Sequence, residues 1–277
     1  MKKLVRSVRK LGQKVINVPV IKRTLIEVPI VGSKLYPNWE RKHPFDVTFG
    51  VDTSGYVPVE AILADRQMAA KISPYGASQA SIIRTALSSL GPVEEYTFVD
   101  IGCGKGRAMI VGGEFPFRSV VGVDLSADLV AIARKNAAIV AQKFPQRPKI
   151  EVVQANAVEH VYPAGKLVLY TYHPFGRELV AQLISKLEQG LASGHYSRLF
   201  FIYYNPVNGD LLDASPHFLR WYAAKLPYDA SELGYGPDTS DTVVIWQSQA
   251  GAVPGPHDHA DRPIRVIDPM WRAEVAG

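Results

Sequence analysis

Between residues 97 and 154 the chain repeats one unit: a short apolar run closing on a polar residue, then a helix-forming stretch. The runs are 97–101, 119–123 and 149–154, and the stretches between them are 108–114 and 127–143. Residues 129, 132, 133, 136 and 140 mark one side of the second stretch at helical spacing. Further runs at 167–172, 199–204 and 242–247 continue the pattern, with helical stretches at 178–191 and about 216–225, and a partner strand near 231–235 for the last run. Strands joined through helices at this spacing lie parallel, with right-handed crossovers. The fold class is therefore α/β, an open, doubly wound, mostly parallel sheet. In such sheets ligands bind beyond the carboxyl ends of the strands.

The residues at those ends narrow the chemistry. Asp100-Ile101-Gly102-Cys103-Gly104-Lys105-Gly106-Arg107 follows the first strand and opens a helix. Glycines there let the backbone turn sharply and come close to a ligand. A dinucleotide fingerprint would place glycine or alanine where Arg107 stands, and a P-loop would need Ser or Thr after Lys105, so both patterns fail. The second strand ends in Asp124, within Val-Gly-Val-Asp-Leu-Ser. A carboxylate at that tip accepts two hydrogen bonds from a ribose diol. Its other reading is a cap for the helix near residue 127, a role for which Ser126 is better placed.

Composition sets the outer limits. The chain has 277 residues, 47% of them hydrophobic and 21% charged, which suits a globular protein with a large core. No run of about 18 uncharged apolar residues occurs, which excludes a spanning helix. Cys103 is the only cysteine, so an intrachain disulfide is excluded and a reducing, cytoplasmic compartment is the expectation. Formal net charge is +5, yet residues 1–25 hold eight basic residues and no acid, leaving a net −3 on the rest. An acidic body argues against a nucleic-acid partner. In the arm, Leu4, Val8, Leu11 and Val15 form the stripe of an amphipathic helix. It would rest on the domain, on an acidic partner or, peripherally, on an anionic membrane. No secretory signal is formed. Residues 26–60 read as irregular, and 61–72 and 78–90 as helices broken by Pro74-Tyr75-Gly76. Residues 251–277 form a Pro-rich tail in which His257, Asp258 and His259 are read as incidental, so no metal is expected.

The Asp-Ile-Gly-Cys-Gly-Lys-Gly-Arg loop, the second-strand Asp124 and the following Ala-Arg-Lys-Asn resemble the class I S-adenosylmethionine-dependent methyltransferases over roughly residues 75–247. More narrowly, Tyr75-Gly-Ala-Ser, Gly-Lys-Gly-Arg and His-Pro-Phe resemble a bacterial group distantly similar to seven-strand protein-lysine methyltransferases. The resemblance implies a seven-stranded, Rossmann-like sheet over 93–250, an extension at 26–92 capping the cofactor, and S-adenosyl-L-methionine as that cofactor. It implies that Asp100 binds the methionine amino group, while Gly102, Gly104 and Gly106, with Cys103 among them, shape the loop. Asp124 would hold the ribose and Leu125 would pack on the adenine. The third tip, Gln154-Ala155-Asn156-Ala157, carries Asn156 where the family usually has Asp; its carbonyl can still accept from the adenine amine, or it is a surface loop residue. Tyr75 and Ser78 match a segment folded over the methionine end.

The fourth tip, Tyr170-Thr171-Tyr172-His173-Pro174-Phe175-Gly176, matches the place where the transferable methyl points. Tyr172 and His173 are the candidate catalytic residues. His173 could take a proton near neutral pH or touch the cofactor, or it is a turn residue. The short amide or carboxylate and second Pro of amino-directed DNA methyltransferases are missing there. Tyr203, Tyr204, Trp221 and Tyr222 read as core, or as an aromatic pocket. The expected function is N-methylation of a protein lysine or a small molecule. The alternatives are a cofactor-binding adaptor without turnover and a nucleotide-dependent oxidoreductase.

Overall fold

The computed structural model describes residues 42–256, apart from residue 64 and residues 236–237. The basic arm and His257–His259 lie outside the described residues. Helix α1 (Pro44–Phe49) leads into strand β1 (Tyr56–Val57) and two one-turn helices, α2 (Val59–Ile62) and α3 (Arg66–Ala69). Strand β2 (Tyr75–Gly76) returns antiparallel to β1, and helix α4 (Ala80–Ser88) follows. The predicted helix over 61–72 is thus two separate turns and a bend, and the small β1–β2 sheet was not expected. Pro74 and the glycines favour turns, but the pairing of so short a strand is set by what it packs against.

The main sheet comprises β3 (Tyr96–Ile101), β4 (Ser119–Asp124), β5 (Ile150–Gln154), β6 (Gly165–Tyr172), β7 (Tyr196–Tyr204), β8 (Phe218–Pro227) and β9 (Ser240–Ser248). Its order is β5-β4-β3-β6-β7-β9-β8. The first five run parallel, while β9 lies antiparallel to β7 and to β8. Crossover helices α5 (Arg107–Gly112), α6 (Ala127–Lys143) and α7 (Arg177–Ala192) match the sequence expectation to within a few residues.

Side chains of the parallel strands alternate between two cores. Phe98, Val120, Val168 and Ile202 face α4, α5 and α6 on one side; Val99, Val121, Leu169 and Tyr203 face α7 on the other. All six residues of β3 are buried, as a parallel strand covered on both faces must be. Trp221, Tyr222, Tyr203 and Tyr204 are all core residues.

The segment read as a helix at 216–225 is strand β8, and the strand expected at 231–235 is a single 3-10 turn (Ala230–Glu232) with a bend after it. Leu219, Ala223, Ala224 and Lys225 favour helix intrinsically. The register of β8 also shifts between Arg220 and Tyr222, burying Trp221 and Tyr222 consecutively and erasing the period of two. Pairing along β9 overrides local preference there.

The chain turns back between β4–β5 and β6–β7 at β3, which places a topological switch point at the tips of β3 and β6.

Candidate active site at the carboxyl edge of the sheet

The β3–α5 loop folds as its glycines allow. Gly102 and Gly104 have φ of 72° and 52°, in the left-handed region. A Cβ on Gly104 would stand 2.2 Å from the Tyr75 ring, and one on Gly102 would stand 2.6 Å from Pro174. These glycines therefore let β2 and the β6 tip pack directly on the loop backbone. The loop is tied to β4 by the Gly102 and Cys103 N–H groups, which donate to Val123 O. Gly104 N–H donates to Asp124 Oδ2 at 2.8 Å, and Ser126 N–H donates to Asp124 Oδ1 at 2.9 Å. The cap of α6 is Ser126, whose Oγ accepts from Leu129 N–H.

A cleft opens over this loop. Of the residues singled out from sequence, Tyr75, Ser78, Asp100, Gly102, Cys103, Asp124, Leu125, Asn156, Ala157 and Tyr172 line it. Gly104 and Gly106 shape the loop from behind. His173 does not line the cleft: it is buried, with φ of 39°, and its Nδ1 lies 3.1 Å from the Tyr203 hydroxyl. One residue past the end of β6, its left-handed backbone turns it toward Tyr203 in the opposite core. The expected catalytic or cofactor contact of His173 therefore has no counterpart among the side chains that line this cleft.

Other candidates carry structural bonds as well. The Tyr75 hydroxyl donates to Thr53 O at 2.7 Å, and Ser78 Oγ accepts from the Tyr170 hydroxyl at 2.7 Å. Asn156 Oδ1 accepts from Val158 N–H at 3.2 Å, an Asx turn that leaves one lone pair of its carbonyl.

Burial pushes the Asp100 carboxyl well above the usual carboxylate range, and the nearby Asp124 adds to it; an N–H of Met109 opposes. Burial also raises Asp124, against the N–H groups of Ser126 and Gly104. The Cys103 thiol is pushed up by burial and then by both carboxylates, so it stays protonated and is no nucleophile. Two carboxylates in one dry corner call for a cationic ligand. An acid whose folded pKa is raised costs stability once pH exceeds its unfolded pKa. Asp100→Asn is therefore expected to raise the melting temperature at neutral pH, with the gain shrinking toward about pH 4. The same variant should lose affinity for a ligand carrying an ammonium group. Thermal unfolding across that range, beside ligand titration, checks both.

Sequence reasoning missed what covers the loop. Arg107, noted only as a failed glycine, is buried, and its guanidinium collects the N-terminal segment. It donates to Thr53 Oγ1 at 2.8 Å, Ser54 Oγ at 2.9 Å and Ser78 O at 3.2 Å, and stands 3.9 Å from buried Asp46. Asn136 of α6 donates to Asp52 O and Lys105 O. Beyond β2, Ser73 N–H donates to Pro174 O and Gly176 N–H to Lys71 O, strapping this segment to the β6 tip. Ile62, Met68, Ile72 and Pro74 thereby join the cleft wall. No local signal ties Asp46 or Thr53 to the glycine loop, because the Arg107 they meet there lies more than fifty residues away.

The donor set suits one ligand class. Buried Asp100 would suit an ammonium, half-buried Asp124 at the rim a diol, and Leu125, Leu129 and Ala157 offer apolar walls to a base. Residues 99–171 match a family model described as Methyltransferase domain. Among solved structures, the chain is similar to 23S rRNA methyltransferase ErmE, with 15% identity over 63% of this chain and 69% of that chain, and a TM-score of 0.42. It is also similar to ribosomal protein L11 methylase from Lactobacillus delbrueckii subsp. bulgaricus, with 17% identity, 60% and 75% coverage, and a TM-score of 0.39. A third is M. capricolum TrmK in complex with S-adenosyl-homocysteine, with 12% identity, 69% and 72% coverage, and a TM-score of 0.40. No curated protein matches the chain. The matched span runs from β3 through the glycine loop and Asp124 to the tip of β6, so the chain carries an S-adenosylmethionine-dependent methyltransferase domain.

Proposed function

We propose that the enzyme methylates a nitrogen, that of a protein lysine side chain or of a small molecule. One observation carries the reading: Tyr172, two residues beyond the register partner of Asp100, presents an aromatic side chain to the same cleft. Asp100 would hold the methionine ammonium, Asp124 the ribose hydroxyls, and Leu125 and Ala157 the faces of the adenine. Asn156 can accept from the adenine amine with its remaining lone pair. The bound cofactor supplies a methyl group on a sulfonium, and the transfer is an in-line displacement. The chain's part is to orient a deprotonated acceptor beyond Tyr172 and to exclude water. The wall at 62–78 serves that exclusion.

The tip chemistry favours an aliphatic amine over a base amine, since His173-Pro174-Phe175-Gly176 offers no short amide or carboxylate. The acidic body is in keeping with a cationic acceptor. Incubating the protein with a tritiated methyl donor and a lysate from cells lacking it tests the reading. Label on an amine nitrogen is expected. Label only on oxygen, sulfur or carbon would overturn it, and tight S-adenosylhomocysteine binding without transfer would favour an adaptor.

A further inference from the structure

Beyond Tyr172, along the carboxyl edge of the sheet, three phenols gather around one carboxylate. The Tyr172 ring stacks on that of Tyr204, its register partner on β7, with centroids 4.3 Å apart and planes inclined by 20°. Tyr204 is buried, and its hydroxyl donates to Asp241 Oδ2 at 2.8 Å. The Tyr228 hydroxyl donates to the same oxygen at 2.5 Å. Tyr204 pairs with Val243 on β9, so Asp241, two residues earlier, shares its face just past the end of β7. Tyr172, Tyr228 and Asp241 are half-buried, so the cluster runs from the core to solvent beside the cleft.

This carboxylate is poorly compensated. Among the described residues no Lys, Arg or His forms an ion pair with Asp241, and Oδ1 receives no hydrogen bond. Both phenols converge on Oδ2 instead. Burial raises its pKa, the Tyr228 and Tyr204 hydrogen bonds oppose that rise, and Asp238 and the β8 residue Lys225 act more weakly in opposite directions. A carboxylate partly withdrawn from water is ordinarily paired with a cation. Among the described residues none supplies that cation, next to the side chain that walls the acceptor end of the cleft.

We propose that Tyr172, Tyr204, Tyr228 and Asp241 form an acceptor subsite for an aliphatic ammonium group. Asp241 supplies the countercharge and accepts the proton that the ammonium gives up before its nitrogen attacks, while the phenol oxygens and ring faces surround the cation. The inference rests on the reading of a nitrogen acceptor and goes further: it assigns residues that select a charged amine over an alcohol of the same shape.

The test uses n-butylammonium chloride and n-butanol, each titrated into the full chain saturated with S-adenosylhomocysteine and followed by tyrosine fluorescence or NMR. The ammonium ion is expected to bind at least tenfold more tightly than the alcohol. Asp241→Asn, which can still accept both phenol hydrogen bonds, should abolish that preference and leave S-adenosylhomocysteine affinity unchanged. Equal binding of the two probes, or an unchanged preference in Asp241→Asn, would overturn the proposal. Should that variant fail to fold, Tyr228→Phe replaces it: a severalfold weaker ammonium affinity is expected, and an unchanged one overturns the subsite. Absence of S-adenosylhomocysteine binding would instead strike the cofactor reading, since the two titrations are read separately.

Discussion

Asp124→Ala is expected to weaken S-adenosylhomocysteine binding by about 2–3 kcal/mol, roughly 30- to 150-fold, with calorimetry as the measurement. Two losses combine. The ribose hydroxyls would lose a charged acceptor, and the loop under the cofactor would lose its tie to β4. Gly104 N–H, 2.8 Å from Oδ2, and Ser126 N–H, 2.9 Å from Oδ1, are both left without their acceptor. The effect on stability should be smaller than the effect on binding. Removing one carboxylate relieves the burial cost of Asp124 and its repulsion of Asp100, which offsets part of the two lost hydrogen bonds. Asp124→Asn keeps one acceptor and should fall between. Retained affinity in Asp124→Ala would remove both the ribose contact and the loop clamp.

Arg107→Met should be the most destabilising single change near the site. Breaking a buried ion pair from one side costs about 3–5 kcal/mol, because the remaining charge stays in a dry environment. The lower end applies here. Asp46 keeps the N–H donors of Thr53 and Ser54 at 3.1 and 3.0 Å, and the Arg107–Asp46 approach is a long 3.9 Å. For a domain of this size that is a fall in melting temperature of roughly 6–12 °C. The Asp46→Asn, Arg107→Met double variant should recover part of it, since the stranded charge is gone. Thermal unfolding of the three variants checks the coupling; strict additivity would mean that the guanidinium acts through Thr53, Ser54 and Ser78 alone. Cofactor affinity should fall along with stability, because the same guanidinium seats residues 46–54 on the glycine loop.

The legible part of the site was the part encoded in short range. A glycine loop after a buried run, and an acid at the next strand tip, lie within 25 residues and pointed to Asp100, Gly102 and Asp124 without coordinates. Tyr172 and His173 were adjacent in sequence and looked alike as candidates. Tyr172 ends β6 facing the cleft, while the left-handed backbone of His173, just past the strand, turns it onto Tyr203, and where a strand stops cannot be fixed to one residue from sequence alone. Arg107 read as a departure from a motif and proved to be the hub that closes the site.

What the amino-acid sequence determined by itself was the parallel α/β sheet, the positions of its crossover helices and the location of the glycine loop. These follow from hydrophobic period and from glycine, which act over a few residues. What only the tertiary structure decided was β8, where pairing with β9 outweighs helix-favouring residues, and the company of distant side chains. Asp46 meets Arg107, and Asp241 meets Tyr204 and Tyr228, because separate elements pack together. A buried charge takes its properties from those neighbours, and neighbours in space leave no mark on local sequence.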